Sequence, residues 1–169
     1  MKRLLIPVLF ILFIAKFSYA QVEMDKAQAM FCYNFTKFFD WPPSEKQGDF
    51  VMGVLGNRDL AVELERVTSG KKNVTQPIVV KYFRNLDEVE KSHVIFVDGL
   101  KSNDIPDVHT KTGVHCLIIS NSGSGIQKGA AIQFATEGNR LKYDFKSENA
   151  LKHGLKFHSK VREMARNNY

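Results

Sequence analysis

Two loops that follow predicted strands carry the groups best suited to bind an anion. In the first, Asn57 follows Val54–Leu55–Gly56 and precedes a predicted helix, whose amino end attracts negative charge. The second is a Ser/Gly-rich loop after another predicted strand, the position at which open α/β sheets place their ligands. The candidate ligand-binding residues are therefore Asn57, Ser122, Gly123, Ser124 and Gly125.

Neither loop carries a complete nucleotide-binding motif. The turn at Asn57 lacks the G-x-G-x-x-G spacing of dinucleotide sites, and the second loop lacks the terminal Lys-Ser/Thr of a P-loop. A tight strand-to-helix turn and a flexible connector are the favoured interpretations of the two loops. We expect no bound cofactor.

No catalytic or metal-binding motif is evident. Ser122 and Ser124 are not part of G-x-S-x-G, and no H-E-x-x-H occurs. His153 and His158 lie on either side of Gly154, so they do not share one helical face, whereas a metal site needs three or four converging ligands. We expect a protein that is not an enzyme and holds no metal. An enzyme of unrecognised type is the open alternative, since catalytic groups can converge from distant positions.

The elements that would position these residues alternate between helix and strand. Apolar or β-branched runs predict strands at 50–56, 77–83, 93–98 and 114–120, and apolar residues at helical spacing predict a helix at 24–39. Further helices are expected at 59–67 and 147–153, a short basic helix at 158–166, and a polar segment of weak helical character at about 101–111. Segments 130–135 and 140–145 alternate apolar and polar residues around a turn, which predicts an antiparallel hairpin. The expected fold is a three-layer α/β domain, with a mainly parallel central sheet flanked by helices and the hairpin at one edge.

The first twenty residues are typical of a secretory signal peptide. A basic start, a short apolar run and Ser18-Tyr19-Ala20 predict cleavage before Gln21, leaving one domain at 21–169. An uncleaved membrane anchor is the alternative. Cleavage removes three basic residues and no acidic one, so the net charge falls from +6 to +3, weak evidence for a nucleic-acid partner. We expect a soluble periplasmic protein that does not bind nucleic acid, and we leave a homodimer open.

Trp41 and the basic carboxyl-terminal segment are candidate contacts for a protein partner. Trp41 is the only tryptophan, and such a side chain can anchor an interface or close the core over Phe38. Lys160 and Arg162, with Lys156 and Arg166 beside them, could face a partner or simply solvate a surface helix.

The order of several motifs resembles the YfiR family. Tyr33 to Pro42 resembles its opening YNFxKFxxWP signature, Val54–Asn57 resembles a strand end written VLGD, and His93–Val97 resembles its HILFI strand. Residues 132–165 match the closing hairpin and helix of the family. The resemblance covers essentially all of the mature chain.

This resemblance implies a periplasmic regulator that binds the periplasmic sensor portion of a membrane signalling protein, of the diguanylate cyclase or sensor kinase type. A periplasmic small-ligand-binding protein that uses the strand-end loops is the alternative. Three positions depart from the family pattern: Ser92 stands where a Cys is frequent, Lys146 where an Asn is frequent, and Arg162 where a Leu is usual.

Two cysteines remain after residue 20, and an oxidising compartment would permit a bridge between them. Cys32 falls on a predicted helix and Cys116 in a predicted strand, and the more familiar cysteine position of the family is Ser92 here. We therefore predict that Cys32 and Cys116 are two small buried residues and do not form a structural disulfide.

Overall fold

The computed structural model describes residues 23–169. The predicted signal peptide at 1–20 lies outside the described residues. The helices are α1 (residues 23–35), α2 (Arg58–Thr68), α3 (Ile105–Thr112), α4 (Gly125–Lys128), α5 (Ser147–Lys152) and α6 (Ser159–Glu163). The strands are β1 (Phe39–Asp40), β2 (Phe50–Leu55), β3 (Lys72–Asn73), β4 (Gln76–Phe83), β5 (Val94–Val97), β6 (Leu117–Ser120), β7 (Ile132–Glu137), β8 (Arg140–Phe145), β9 (Lys156–Phe157) and β10 (Asn167–Asn168). No helix in this part of the chain is long and apolar enough to span a membrane.

Eight strands form one mainly parallel sheet, in the order β10-β8-β7-β6-β5-β2-β4-β3. The five central strands from β7 to β4 all run parallel, and β7 and β8 form the antiparallel hairpin predicted from the alternating pattern. From β2 the chain moves outward to β4, then returns to the other side of β2 for β5. The predicted fold class is therefore confirmed. The added strand β10 lies outside the hairpin, parallel to β8.

The core has two parts, one on each face of the sheet. Val94 and Phe96 of β5 belong to one hydrophobic cluster, and Ile95 and Val97 to the other, as expected when successive side chains point to opposite faces. Helices α1 and α2 pack in the first cluster, and α3 packs in the second. Strand β5 is fully apolar and buried because both faces of the sheet are covered there.

The amino-terminal helix is shorter than predicted. It ends at residue 35, not 39, and three i+3 backbone hydrogen bonds close its last turn before β1 begins at Phe39. The extended backbone places the Phe39 ring 6.1 Å from both Phe145 and Phe157. Those aromatic contacts replace the last helical turn.

The carboxyl-terminal segment also differs from the prediction. The helix expected at 158–166 is the five-residue α6, and the chain then becomes extended to pair with β8. The loop predicted at 121–129 contains α4, which starts at Gly125. Helix α5 ends as predicted at Gly154, whose φ of +65° suits glycine; Leu155 N–H donates to Ala150 O across the turn.

Cys32 and Cys116 are both free and buried, and they belong to different clusters on opposite faces of the sheet. The prediction that they form no disulfide with each other is confirmed. Burial raises the pKa of both thiols, that of Cys116 to about 12. Neither sulfur is therefore a reactive thiolate near neutral pH.

Candidate functional site

The two candidate ligand loops lie at the same edge of the sheet but are not adjacent. Asn57 follows β2 and Ser122 lies two residues beyond β6, while β5 runs between these strands. Successive strands are added on one side of β2 up to β4 and on its other side from β5 onward, and open α/β sheets bind ligands where the strand order reverses in this way. This edge is therefore the first place to look for free polar groups.

The Asn57 amide is already engaged at both ends. Its Oδ1 accepts the Leu60 N–H at 2.9 Å and so caps α2, while its Nδ2 donates to Asp25 Oδ1 at 3.1 Å. Asp25 is 2% exposed on α1, so the amide ties two helices together. This geometry favours the interpretation of a structural turn.

The backbone donors of the Ser122–Gly125 loop are turned inward. Ser122 N–H donates to Ser120 Oγ, Ser124 N–H to Ser122 Oγ and Gly125 N–H to Ser122 O, at 3.0–3.3 Å. Ile126 N–H donates to Gln133 Oε1 at 3.1 Å. A phosphate cradle needs several free backbone N–H groups, and these four are engaged. The geometry favours a connector, and ligand binding at this loop stays a prediction.

Trp41 lies in the core. Its side chain is 5% exposed, and its Nε1–H is shared between the carbonyl oxygens of His93 at 3.2 Å and His115 at 3.0 Å. The ring packs edge-to-face on Phe50 with centroids 4.8 Å apart, where the sequence suggested Phe38. The indole therefore joins β2, β5 and the segment before β6 at their amino ends. A partner could reach it only after this region opened.

His93 completes the same cluster. Its Nδ1 accepts the Val51 N–H and its Nε2–H donates to Glu45 O, both at 3.0 Å, and its ring stacks on Phe50. This arrangement requires the neutral ring, because a proton on Nδ1 would face the Val51 N–H. Burial is the main cause that lowers the pKa of His93. His93 therefore has a structural role that depends on its protonation state.

The end of α1 and the carboxyl-terminal helix are brought together by two short strands. β1 pairs with β9, with Phe39 opposite Phe157 and Asp40 opposite Lys156. Lys156, Lys160 and Arg162 are exposed, and we call these three residues the C-terminal basic surface. The Arg162 guanidinium lies 5.1 Å from the Phe157 ring centroid. No salt bridge engages these three residues within the described part of the chain.

Arg166, which the sequence grouped with these residues, has a different environment. Its guanidinium binds both oxygens of Asp144, at 2.9 and 2.6 Å, and the Asp144 side chain is 2% exposed. Asn167 Nδ2 donates to the same carboxylate at 3.0 Å. Arg166 therefore anchors the carboxyl-terminal strand, and we do not count it in the C-terminal basic surface.

A family model described as YfiR/HmsC-like matches residues 25–166. The chain belongs to this family. No curated protein matches the sequence significantly. The YfiR/HmsC-like family is one of periplasmic regulators of signalling proteins and is not known as a family of enzymes.

The residues that carry the YfiR/HmsC-like motifs are mostly structural here. Trp41 and His93 come from two separate motifs and meet around Phe50, where they hold the amino ends of the strands. Ser92, where the family pattern has a frequent Cys, is 3% exposed and donates to Glu90 O. Arg162, in contrast, which stands where the family usually has a Leu, lies on the exposed side of α6.

Two contacts between distant elements were not predicted from the sequence. One is the Asp144–Arg166 pair, and the other is the approach of His109 to His153, whose ring centroids are 5.9 Å apart. In both contacts the partners are far apart along the chain, so the sequence showed only that each residue is of a type able to make such a contact. Among residues 23–169, no group of three or more His, Cys, Asp or Glu side chains could hold a metal ion.

Proposed function

We propose that this protein modulates a membrane signalling protein, of the diguanylate cyclase or sensor kinase type, by binding the periplasmic sensor portion of that protein. The observation that carries this proposal is the family match over residues 25–166, which spans nearly all the described chain. The hydrogen-bonded, partly buried state of the polar groups at the candidate loops adds support, since a protein that works by surface contact needs no catalytic cleft.

The C-terminal basic surface is the contact region that we favour. Lys156, Lys160 and Arg162 project from two short adjacent elements and lack carboxylate partners among the described residues. Met164, 55% exposed, adds an apolar side chain beside them. This combination suits an acidic partner surface, because opposite charges speed association and an apolar contact contributes to affinity once water is excluded.

Capture of solubilised membranes on the immobilised mature protein tests this assignment. Reversing two charges, Lys160→Glu and Arg162→Glu together, should weaken capture by about tenfold and reduce its salt dependence. Both side chains are exposed, so the thermal midpoint should stay nearly constant. Lys111→Glu is the control, since Lys111 is also exposed but lies in α3, which packs on the face of the sheet opposite to Val161 of α6.

Three results are informative. Loss of capture in the double variant alone supports this surface. Equal capture by the double variant and by the unmodified protein would exclude this surface. A failure to capture any membrane signalling protein, with a folded and exported chain, would contradict the proposed function itself.

A further inference from the structure

A cavity of about 250 Å³ opens between α3, α4 and α5. Its floor is apolar and includes Ile105 and Ile118, with Val114 at the rim. It lies on the side of the sheet covered by α3, and α4, which forms one wall, begins at Gly125 of the second candidate loop. Its lining shares no residue with the C-terminal basic surface. Its volume is just below the range of about 300–1,000 Å³ typical of ligand pockets, so it suits a small molecule.

The charged side chains that line this cavity are all positive. Lys128 and Lys152 line it together with two histidines, and no carboxylate side chain does. Lys128 Nζ donates to Ser102 Oγ at 3.0 Å and to Asn103 Oδ1 at 2.8 Å, which fixes the ammonium group with uncharged acceptors. Neither lysine forms a salt bridge with a described residue. No carboxylate of residues 23–169 therefore pairs directly with either ammonium group.

The two histidines add donors that an anion could use. His153 Nδ1–H donates to Val114 O at 3.2 Å, so its Nε2 is the nitrogen left for a ligand. Burial lowers the pKa of His153, and the nearby His109 and Lys152 lower it further. The charged or titratable groups near this ring include His109 from α3, Lys128 from α4 and Lys152 from α5. His115, from the segment before β6, is a fourth, with its Nδ1 3.2 Å from the His153 carbonyl oxygen. A bound anion would offset their repulsion and favour the protonated ring.

We propose that this cavity binds a small organic monocarboxylate whose apolar body rests on the floor and whose carboxylate meets the lysines and histidines at the rim. An apolar pocket with a few convergent polar groups is the usual form of a small-molecule site. A compact polyanion fits less well, because the apolar floor offers nothing to a second charge. The residues of this site are not those of the proposed partner surface, so a test of carboxylate binding is independent of the proposed regulatory function.

Titration with benzoate and isovalerate, each against its neutral amide, tests this site by isothermal calorimetry and ligand-observed NMR. So small a ligand should bind with a dissociation constant of about 1 mM, and concentrations up to about 10 mM cover that range. At least one carboxylate should bind about tenfold more tightly than its amide, since a hydrogen bond to a charged group is the stronger kind. Its affinity should rise as the pH falls below about 6, because the pKa of His153 is lowered in the free protein and the ring gains its proton only there.

Two variants locate the binding. Val114 is 65% exposed at the rim, so Val114→Glu places a negative charge there without disturbing the core, and Val114→Gln is its neutral control. Val114→Glu and Lys152→Glu should each weaken carboxylate binding by about tenfold or more, and Val114→Gln should leave it nearly unchanged. If neither carboxylate binds, if the amides bind equally well, or if Val114→Glu and Lys152→Glu bind like the unmodified protein, the proposal is wrong.

Discussion

Replacing Trp41 with Phe tests whether the indole serves the fold or an interface. The substitution removes the Nε1–H that lies between the carbonyls of His93 and His115. His93 O keeps the Leu117 N–H at 2.8 Å, so the penalty falls mainly on His115 O, at about 1–2 kcal/mol. The smaller ring also leaves space beside Phe50, which costs about another 1–2 kcal/mol. The free energy of unfolding should therefore fall by about 3 kcal/mol.

For a domain of this size, that loss lowers the thermal midpoint by about 10 °C, measurable by circular dichroism. Because Trp41 is the only tryptophan, benzothienylalanine can replace it at a single site and remove the N–H while keeping the shape. That analogue isolates the hydrogen bond and should lower the midpoint by about 3–6 °C. A Trp41→Phe protein with a shift below about 2 °C but with impaired membrane capture would refute the buried role and restore the interface interpretation.

Three further predictions concern stability and reactivity. Burial lowers the pKa of His93 in the folded protein, so the unfolded chain binds more protons at acid pH. The contribution of His93 to the free energy of unfolding should therefore be complete above about pH 7 and decrease below about pH 6.5. Urea unfolding at the two pH values measures this loss, and His93→Gln should remove part of it. Arg166→Gln should lower the thermal midpoint by leaving the buried Asp144 carboxylate without its cation, and an Asp144→Asn background should suppress much of that effect; equal losses in both backgrounds would contradict the coupling. Cys32 and Cys116 should resist a thiol reagent in the folded protein and both react after unfolding, whereas fewer than two thiols in the unfolded chain would argue against free cysteines.

The strands of the sheet were predictable because each has a recognisable pattern of apolar residues over a few consecutive positions. Val94–Val97 and Leu117–Ser120 are short, mainly apolar runs. Arg140–Phe145 alternates polar and apolar residues after a turn that contains Gly138. The helix end at Gly154 was predictable for the same reason, because a glycine after a helical segment readily adopts the positive φ that ends a helix. These signals depend only on neighbouring residues.

The candidate sites depended on contacts that no local pattern encodes. β1 and β9 are two residues each, far too short for a periodic signal, yet their pairing places the end of α1 against α6. The approach of His109 to His153 likewise requires the packing of α3 against α5. Arg166 could not be distinguished in the sequence from Lys160 or Arg162, because its difference is the buried Asp144 beneath it.

The residues that identify the family and those that could carry function form two separate sets in this structure. Trp41 and His93 are buried and hydrogen-bonded, whereas Lys160 and Arg162 are exposed and lack carboxylate partners among the described residues. A substitution in the first set should lower stability and reduce capture only in proportion to the unfolded fraction. A substitution in the second should reduce capture at unchanged stability. The ratio of the two effects, measured on the same variants, therefore distinguishes a motif residue that shapes the domain from a surface residue that contacts the partner.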